Sequence, residues 1–390
     1  MPTTEPATGD HNYESVVTKE PTTTEAGERT YTCTVCGDSY TESIDKLPNP
    51  EVIVGTKISA YLSLESEVFL NVDFTLENAG VADPTTLVNR VGLLIWDANA
   101  MPADALATIE NCGTVLTNAK WDTKAQRYVV QTEGIPAKKL GDLLSFRPYY
   151  ITEEGTYVYG RIIKNYSPKT YCYNKLNPSK DADTSNDALM IAILNYGAAA
   201  QKHFGYSTED LMNSGLTAEQ QTINWDGSLV RTDWNIPAEK EGSLTRNKTV
   251  ITSRGGFLSL EGAIDYNYYI KVSESVQIAS IKVLCWNETA YNSLEVLTAE
   301  NAPEVYDMEW NEKEQRYEYK YQGRAAKTMF SPIYFCAVVT DTEGNVSYSG
   351  VVAYSPERFG YINQDKQENY LGELARCLVI YGDAAKTFFK

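Results

Sequence analysis

The residues best able to do chemistry are two cysteines and a histidine near the start of the chain. Cys33-Thr34-Val35-Cys36-Gly37 has the spacing of a metal knuckle, and His11 adds a third donor. A closed structural zinc site wants four ligands. The sequence is therefore read as a reduced or disulfide-linked hairpin, with no metal and no other cofactor assigned. The second histidine, His203, falls near the end of a helical segment. A Ser-His-Asp or Cys-His relay would have to use one of these two histidines, and neither sits in a nucleophile context. Asp181-x-Asp183-x-Ser185-x-Asp187 mimics the opening of a calcium loop. Asn186 and Ala192 stand where that loop needs Gly and an acid, and helix capping accounts for the pattern as well. No Gly-rich phosphate loop and no His-Glu-x-x-His helix occurs. Acidic residues number 52, so any one pair of them says little about glycosidase chemistry. The expectation is a protein that is not an enzyme.

The other chemically capable groups are aromatic. The chain carries 28 Tyr against 10 Phe. A flat ring with a polar tip suits half-exposed strands and wet binding surfaces alike. Sugar rings stack their C–H faces on such side chains while Asn, Gln, Asp or Lys fix the hydroxyls. The ligand-binding candidates are aromatics lacking a counterpart elsewhere in the chain: Trp225 and Trp234, Tyr266, Tyr268 and Tyr269, and Tyr171 and Tyr173. Trp96, Trp286, Trp121 and Trp310 occur in matched pairs and are read as structural.

That pairing comes from an internal repeat. Leu62-Ser63-Leu64-Glu65 recurs as Leu258-Ser259-Leu260-Glu261, and Leu93-Leu94-Ile95-Trp96 as Val283-Leu284-Cys285-Trp286. Trp121-Asp122-Thr123-Lys124-Ala125-Gln126-Arg127-Tyr128 recurs as Trp310-Asn311-Glu312-Lys313-Glu314-Gln315-Arg316-Tyr317. Tyr166-Ser167-Pro168 answers Tyr354-Ser355-Pro356, and Tyr196-Gly197 answers Tyr381-Gly382. The order is kept and the offset drifts slowly, as duplication with small loop changes requires.

Each copy reads mostly as short strands rich in Val, Ile and Tyr, separated by Gly, Asn, Asp and Pro. Strands are expected at Val68–Leu76, Val91–Trp96, Arg127–Gln131 and Tyr157–Ile163. Their partners are Tyr266–Val272, Ile281–Trp286, Arg316–Tyr321 and Val346–Ala353. Each copy closes with a helix: Leu189, Ile193, Tyr196, Ala200 and Phe204 follow helical spacing, as do Leu371, Leu374, Leu378, Tyr381 and Phe388. Each helix is expected to pack on its own sheet layers. The fold class is therefore mainly β, with tandem antiparallel β-sandwich modules that each end in an α-helix. The expected organisation is a Thr/Glu-rich tail over 1–50 bounded by Pro48-Asn49-Pro50, a first module over 51–206, a connector over 207–250 that packs through Trp225 and Trp234, and a second module over 251–390.

The net charge of −18 argues against nucleic acid and anionic membrane surfaces, and no apolar run approaches the roughly 20 residues needed to insert in a bilayer. The five cysteines beyond the Cys33–Cys36 pair are scattered and read as small buried hydrophobes. The start, MPTTEPATGD, has neither a basic nor a hydrophobic region, so no signal peptide is visible and the sequence reads as a piece of a longer protein.

The stretch from His11-Asn12-Tyr13 through Thr18-Lys19-Glu20-Pro21-Thr22 to Tyr31-Thr32-Cys33-Thr34-Val35-Cys36-Gly37 resembles a spacer repeat of large surface proteins of gut clostridia and ruminococci. Ile193-Leu194-Asn195-Tyr196-Gly197-Ala198-Ala199-Ala200 resembles a helix of modules from the same proteins. Family copies often carry a further Cys where Thr22, Thr23 and Thr24 stand here. The resemblance implies an extracellular, cell-surface protein of the kind that includes ruminococcal starch-adherence proteins. Its implied partner is polysaccharide, with α-glucan first, alongside other cell-surface components. A structural or protein-adhesion spacer is the alternative.

Overall fold

The computed structural model describes residues 11–22, 25–47, 57–64, 68–76, 83–152, 155–176, 184–260, 264–322 and 325–390. The expected boundary at Pro48–Pro50, the Asp181 and Asp183 carboxylates, and the side chains of Thr184 and Ser185 lie outside these. The protein is mainly β, and its sheets are antiparallel.

A small sheet of β1 (Tyr13–Lys19), β2 (Gly27–Cys33) and β3 (Ser39–Ile44) comes first, ordered β1-β2-β3. The first copy then supplies β4 (Ile58–Ser63), β5 (Phe69–Phe74), β6 (Val91–Asp97), β7 (Thr114–Leu116), β8 (Lys120–Asp122), β9 (Arg127–Gln131), β10 (Leu144–Ile151), β11 (Tyr157–Tyr159) and β12 (Ile163–Tyr166). They form two sheets, β4-β5-β9-β8 and β11-β10-β6-β7, with β12 also on β10. Helices α1 (Pro168–Lys175) and α2 (Thr184–Phe204) follow. Two single turns, α3 (Ala218–Gln221) and α4 (Ala238–Glu241), mark the connector.

The second copy repeats this order with β13 (Ile251–Ser259), β14 (Asp265–Val272), β15 (Ile278–Asn287), α5 (Glu288–Ser293), β16 (Glu304–Asp307), β17 (Glu309–Asn311), β18 (Arg316–Tyr321), β19 (Ile333–Asp341), β20 (Val346–Tyr348), β21 (Val352–Tyr354), α6 (Pro356–Asn363) and α7 (Leu371–Phe388). Its sheets are β13-β14-β18-β17 and β16-β15-β19-β20, with β21 on β19. The two copies thus have the same strand order, position for position. The repeated Ser-Pro starts α1 and α6 in the same way: Ser167 and Ser355 accept the N–H three residues on, and the proline takes the first helical position.

The chain divides into two compact units, crossing between them after Ser59, Val72, Val130, Leu143 and Asn165. The first unit holds the small sheet and most strands of the first copy. Leu94, Trp96, Ala107, Tyr149 and Tyr159 form a core cluster there, and the Trp96 indole donates to the Asn111 carbonyl at 2.8 Å. The second unit holds the whole second copy, the connector, α1 and α2. Its two sheets face each other through Tyr268 and Phe335, whose rings stack at 5.3 Å. Trp286 is fully buried against Leu284, Tyr334, Leu244 and Leu297, with Trp234 and Ile236 of the connector on the same layer. Sandwich packing on one side and connector on the other bury both faces of β15, which explains its continuous apolar run.

Two readings need correction. Tyr157–Ile163 and Val346–Ala353 are each two short strands rather than one. In the second copy the break falls at Ser349 and Gly350, where φ is +73° at Gly350. Ser349 Oγ accepts the N–H of Ala337 on the neighbouring strand at 2.7 Å and the Tyr268 hydroxyl at 2.7 Å. In the first copy the residue in the place of Ala337 is Pro148, which has no N–H to satisfy, and Gly160 stands opposite in the place of Ser349. Ser349→Ala would orphan a buried N–H and a buried phenol, so we expect a loss of about 2 kcal/mol in urea unfolding. A loss under about 0.5 kcal/mol would mean that water replaces the hydroxyl.

The second correction concerns the helices. Each touches its own copy, α2 at Ala137–Lys139 and α7 at Ala326–Thr328, but the long face of α2 lies along α7. Tyr196 and Tyr381, equivalent residues of the repeat, stack on each other at 5.4 Å with both rings buried. Lys202 near the end of α2 pairs with Glu373 near the start of α7 at 2.7 Å, so the helices run antiparallel. Contact between equivalent residues is the signature of a two-fold interface, here formed within one chain. The apolar stripe of each helix is covered largely by the other helix.

Candidate functional site

Strand β14 alternates strictly. Tyr266, Tyr268 and Ile270 point into the sandwich, while Asp265, Asn267, Tyr269 and Lys271 line the opposite face. Across from them β13 brings Phe257 opposite Asn267 and Gly255 opposite Tyr269, and β18 brings Lys320 opposite Asn267 and Glu318 opposite Tyr269. The Tyr269 ring lies over Gly255, where a Cβ would meet the phenol oxygen at 2.5 Å. Glycine at 255 is thus what lets the ring lie flat on the sheet. The Arg316 guanidinium stacks on Tyr269 at 4.1 Å and faces Phe257 at 5.3 Å. Arg316 is held by Glu318 at 2.5 Å, which also accepts from Asn311 at 2.9 Å, and Lys320 pairs with Asp265 at 2.6 Å. Phe257 is 36% exposed, whereas Asn267 is only 9% exposed and its amide nitrogen has no hydrogen-bond partner. A buried unpaired amide costs about 1–3 kcal/mol, so its retention asks for a reason.

The same face of the first copy is built differently. Asp73 stands in the place of Tyr269 and Ser59 in that of Gly255, and Ser59 donates to Asp73. Arg127, equivalent to Arg316, pairs with Asp73 at 2.6 Å instead of stacking. Asn71, equivalent to Asn267, accepts from Gln131 at 3.1 Å. Tyr61 remains at the Phe257 position. The first copy's polar groups satisfy one another, whereas the second copy presents rings and a stacked cation and leaves the buried Asn267 amide unpaired.

The expected ligand residues separate accordingly. Tyr269 is on this face. Tyr266 and Tyr268 are core residues, 0% and 1% exposed, and cannot stack on a ligand from solvent. Alternation places them on the inner side, and burial pushes the Tyr268 hydroxyl pKa well up. Trp225 is half-buried and donates to Gln364 at 2.9 Å. Trp234 is half-buried against Arg231 at 4.8 Å and Arg358 at 5.7 Å, and donates to the Arg231 carbonyl. Both tryptophans contact residues of the second copy. Tyr171 and Tyr173 sit half-buried on α1, where the Tyr173 hydroxyl donates to the Met212 carbonyl and accepts from the Gly215 N–H. Phe257, Asn267 and Arg316 were missed because nothing in the linear order joins them. The period-2 pattern of β14 alone would have separated Tyr269 from its neighbours.

A second cluster lies on the small N-terminal sheet. The donor atoms of His11, Cys33 and Cys36 all fall within 4.8 Å of one another. Backbone N–H groups of Cys36 and then Val35 on its sulfur pull the Cys33 thiol down to about 6. Burial instead pushes Cys336 up to about 11 and Cys377 up to about 12, and raises Cys172 and Cys285 as well, the signature of unreactive core thiols. A cavity of about 240 Å³ beside α2 and α7 is lined by Ala188, Ile191, Asn195, Ile223 and Cys377, with no charged group among its described lining residues. His203 contacts the Asn369 carbonyl at 2.6 Å, a helix-end contact. No described helix is long and apolar enough to cross a membrane.

Comparison with known proteins returned no matching family model and no matching curated protein.

Proposed function

We propose that this chain is a non-catalytic, extracellular polysaccharide-binding protein of the cell surface. Its binding surface is the outer face of β13-β14-β18-β17. The observation that carries this reading is the contrast between copies at one position of one sheet. Where the first copy closes Asp73 with Ser59 and Arg127, the second lays Tyr269 flat beside the exposed Phe257 under Arg316. Phe257 and the part of Tyr269 that Arg316 leaves exposed offer apolar surface to the faces of sugars, and Arg316 and Lys320 offer donors to their hydroxyls. A neutral glycan is compatible with a chain of net charge −18. The resemblance to gut surface proteins puts α-glucan first among the polymers.

The test is affinity electrophoresis of the whole chain through gels carrying starch, xylan, β-glucan or mucin. Retardation by starch is expected. Tyr269→Ala and Phe257→Ala should each weaken it roughly tenfold, the effect of losing one stacking ring worth about 1.4 kcal/mol. Tyr61→Ala in the first copy should leave it unchanged. Retardation that survives both ring deletions would remove this face from the proposal. No retardation by any polymer would favour the spacer or protein-adhesion reading.

A further inference from the structure

The three-stranded sheet β1-β2-β3 lacks a core of its own. Between residues 11 and 47, only Gly27 and Cys33 are buried among the described residues. Tyr31 stacks on Tyr40 at 4.8 Å and Tyr13 meets Tyr40 edge-on at 5.1 Å, yet Tyr40 is 45% exposed. Folds of this size, below about 40 residues, ordinarily need a disulfide, a metal or a partner to hold them.

What the sheet does bury is a sulfur. Cys33 is 2% exposed and ends β2. Its carbonyl accepts from Gly37, which turns the chain at φ +76°, and its N–H donates to the Asp38 carbonyl. That turn brings Cys36 back beside Cys33. The start of β1 is tied to the same turn, because Thr34 donates to the Asn12 carbonyl from both its N–H at 2.9 Å and its hydroxyl at 3.1 Å. His11, one residue earlier, is thereby held with Nδ1 at 3.3 Å from Cys36 Sγ. Tetrahedral zinc with Zn–S of about 2.3 Å and Zn–N of about 2.05 Å sets S···N near about 3.6 Å. The observed spacing lies close to that value.

From this geometry we propose that His11, Cys33 and Cys36 bind one zinc-class divalent cation that staples the N-terminal sheet, with the fourth position open to water. The site is independent of the glycan-binding face. Zinc suits it because two thiolates and one imidazole are the donors on offer, where calcium or magnesium would want oxygen. Both sulfurs bind as thiolates, so uptake releases any thiol protons still present, and holding the strand ends together makes binding free energy into folding free energy for this sheet.

The experiment uses the full reduced chain, titrated anaerobically with Co²⁺ as the visible probe. Uptake of one equivalent is expected, with tetrahedral d–d bands and a sulfur-to-cobalt charge-transfer band, both bleached by one equivalent of Zn²⁺. His11→Ala should weaken the site roughly tenfold or more. The Cys33→Ser, Cys36→Ser double variant should abolish it. Because that variant could also loosen the sheet, hydrogen exchange on the unaltered chain gives an independent readout. Zn²⁺ should slow amide exchange over β1-β2-β3 and leave the second copy unchanged. Absence of cobalt bands in the reduced chain would overturn the proposal. So would bands that survive in the double variant, or a Cys33–Cys36 disulfide that forms in the presence of equimolar Zn²⁺.

Discussion

Tyr381→Ala is expected to destabilise the second unit by about 4 kcal/mol, the usual cost of deleting a large buried aromatic. In calorimetry this should appear as a fall of roughly 10 °C in its melting transition. Tyr381 is 2% exposed at the centre of the α2–α7 pair, stacked on Tyr196, and the cluster around it joins Leu189, Ile193 and Met212 to Leu374, Leu378 and Met329. The hole left by its ring would be lined by side chains from both helices, each fixed by its own packing, so collapse would be limited. Tyr196→Ala should cost a similar amount. Because the two rings touch, the double variant should fall short of the sum by about 1 kcal/mol. Full additivity would mean that the stack itself contributes nothing and that each ring acts only through its own helix.

The second large effect concerns a buried charge. Glu357 on α6 is 4% exposed and is met by the Arg231 backbone N–H at 2.7 Å and guanidinium Nε at 2.9 Å. Arg231 also donates to the Phe330 carbonyl and covers the Trp234 ring. One connector residue thus holds the connector to α6. Removing one partner of a buried pair typically costs about 3–5 kcal/mol. Arg231 is 39% exposed, so water can partly replace it, and about 3 kcal/mol is expected for Arg231→Gln near neutral pH.

Its pH dependence follows from Glu357. Burial pushes that carboxyl above the ordinary value of 4.5, while the Arg231 N–H and charge pull it back. A carboxyl whose folded value is raised gives its full stabilisation when protonated, below the unfolded value, and loses it as pH rises through the folded value. Deleting Arg231 raises the folded value further. The deficit of Arg231→Gln relative to the natural chain should therefore be largest near pH 7 and shrink as pH falls toward about 4.5. A deficit of equal size at both ends of that window would mean that lost packing on Trp234, rather than an unpaired carboxylate, is the cause.

What the sequence determined by itself was local and periodic. Matched segments set the two copies and their common strand order, because each pairs a turn signal with a hydrophobic run that can fold only one way. Trp96 and Trp286, at the ends of apolar runs, were legible as core, and both are buried. The stripes of α2 and α7 announced that each helix must be covered. They could not say by what, since an apolar face carries no address, and only the fold set Tyr196 against Tyr381.

The candidate site shows the same limit. Tyr269 could be named from the sequence, but so could Tyr266 and Tyr268, whose sheet face depends on which side the sandwich closes. Phe257, Asn267 and Arg316 come from three different strands, and strand pairing alone brings them to one face. Arg231 and Glu357 lie 126 residues apart. Attraction between such groups is short-ranged and leaves no trace in chain order. It exists only after hydrophobic burial and backbone pairing have fixed where the strands run.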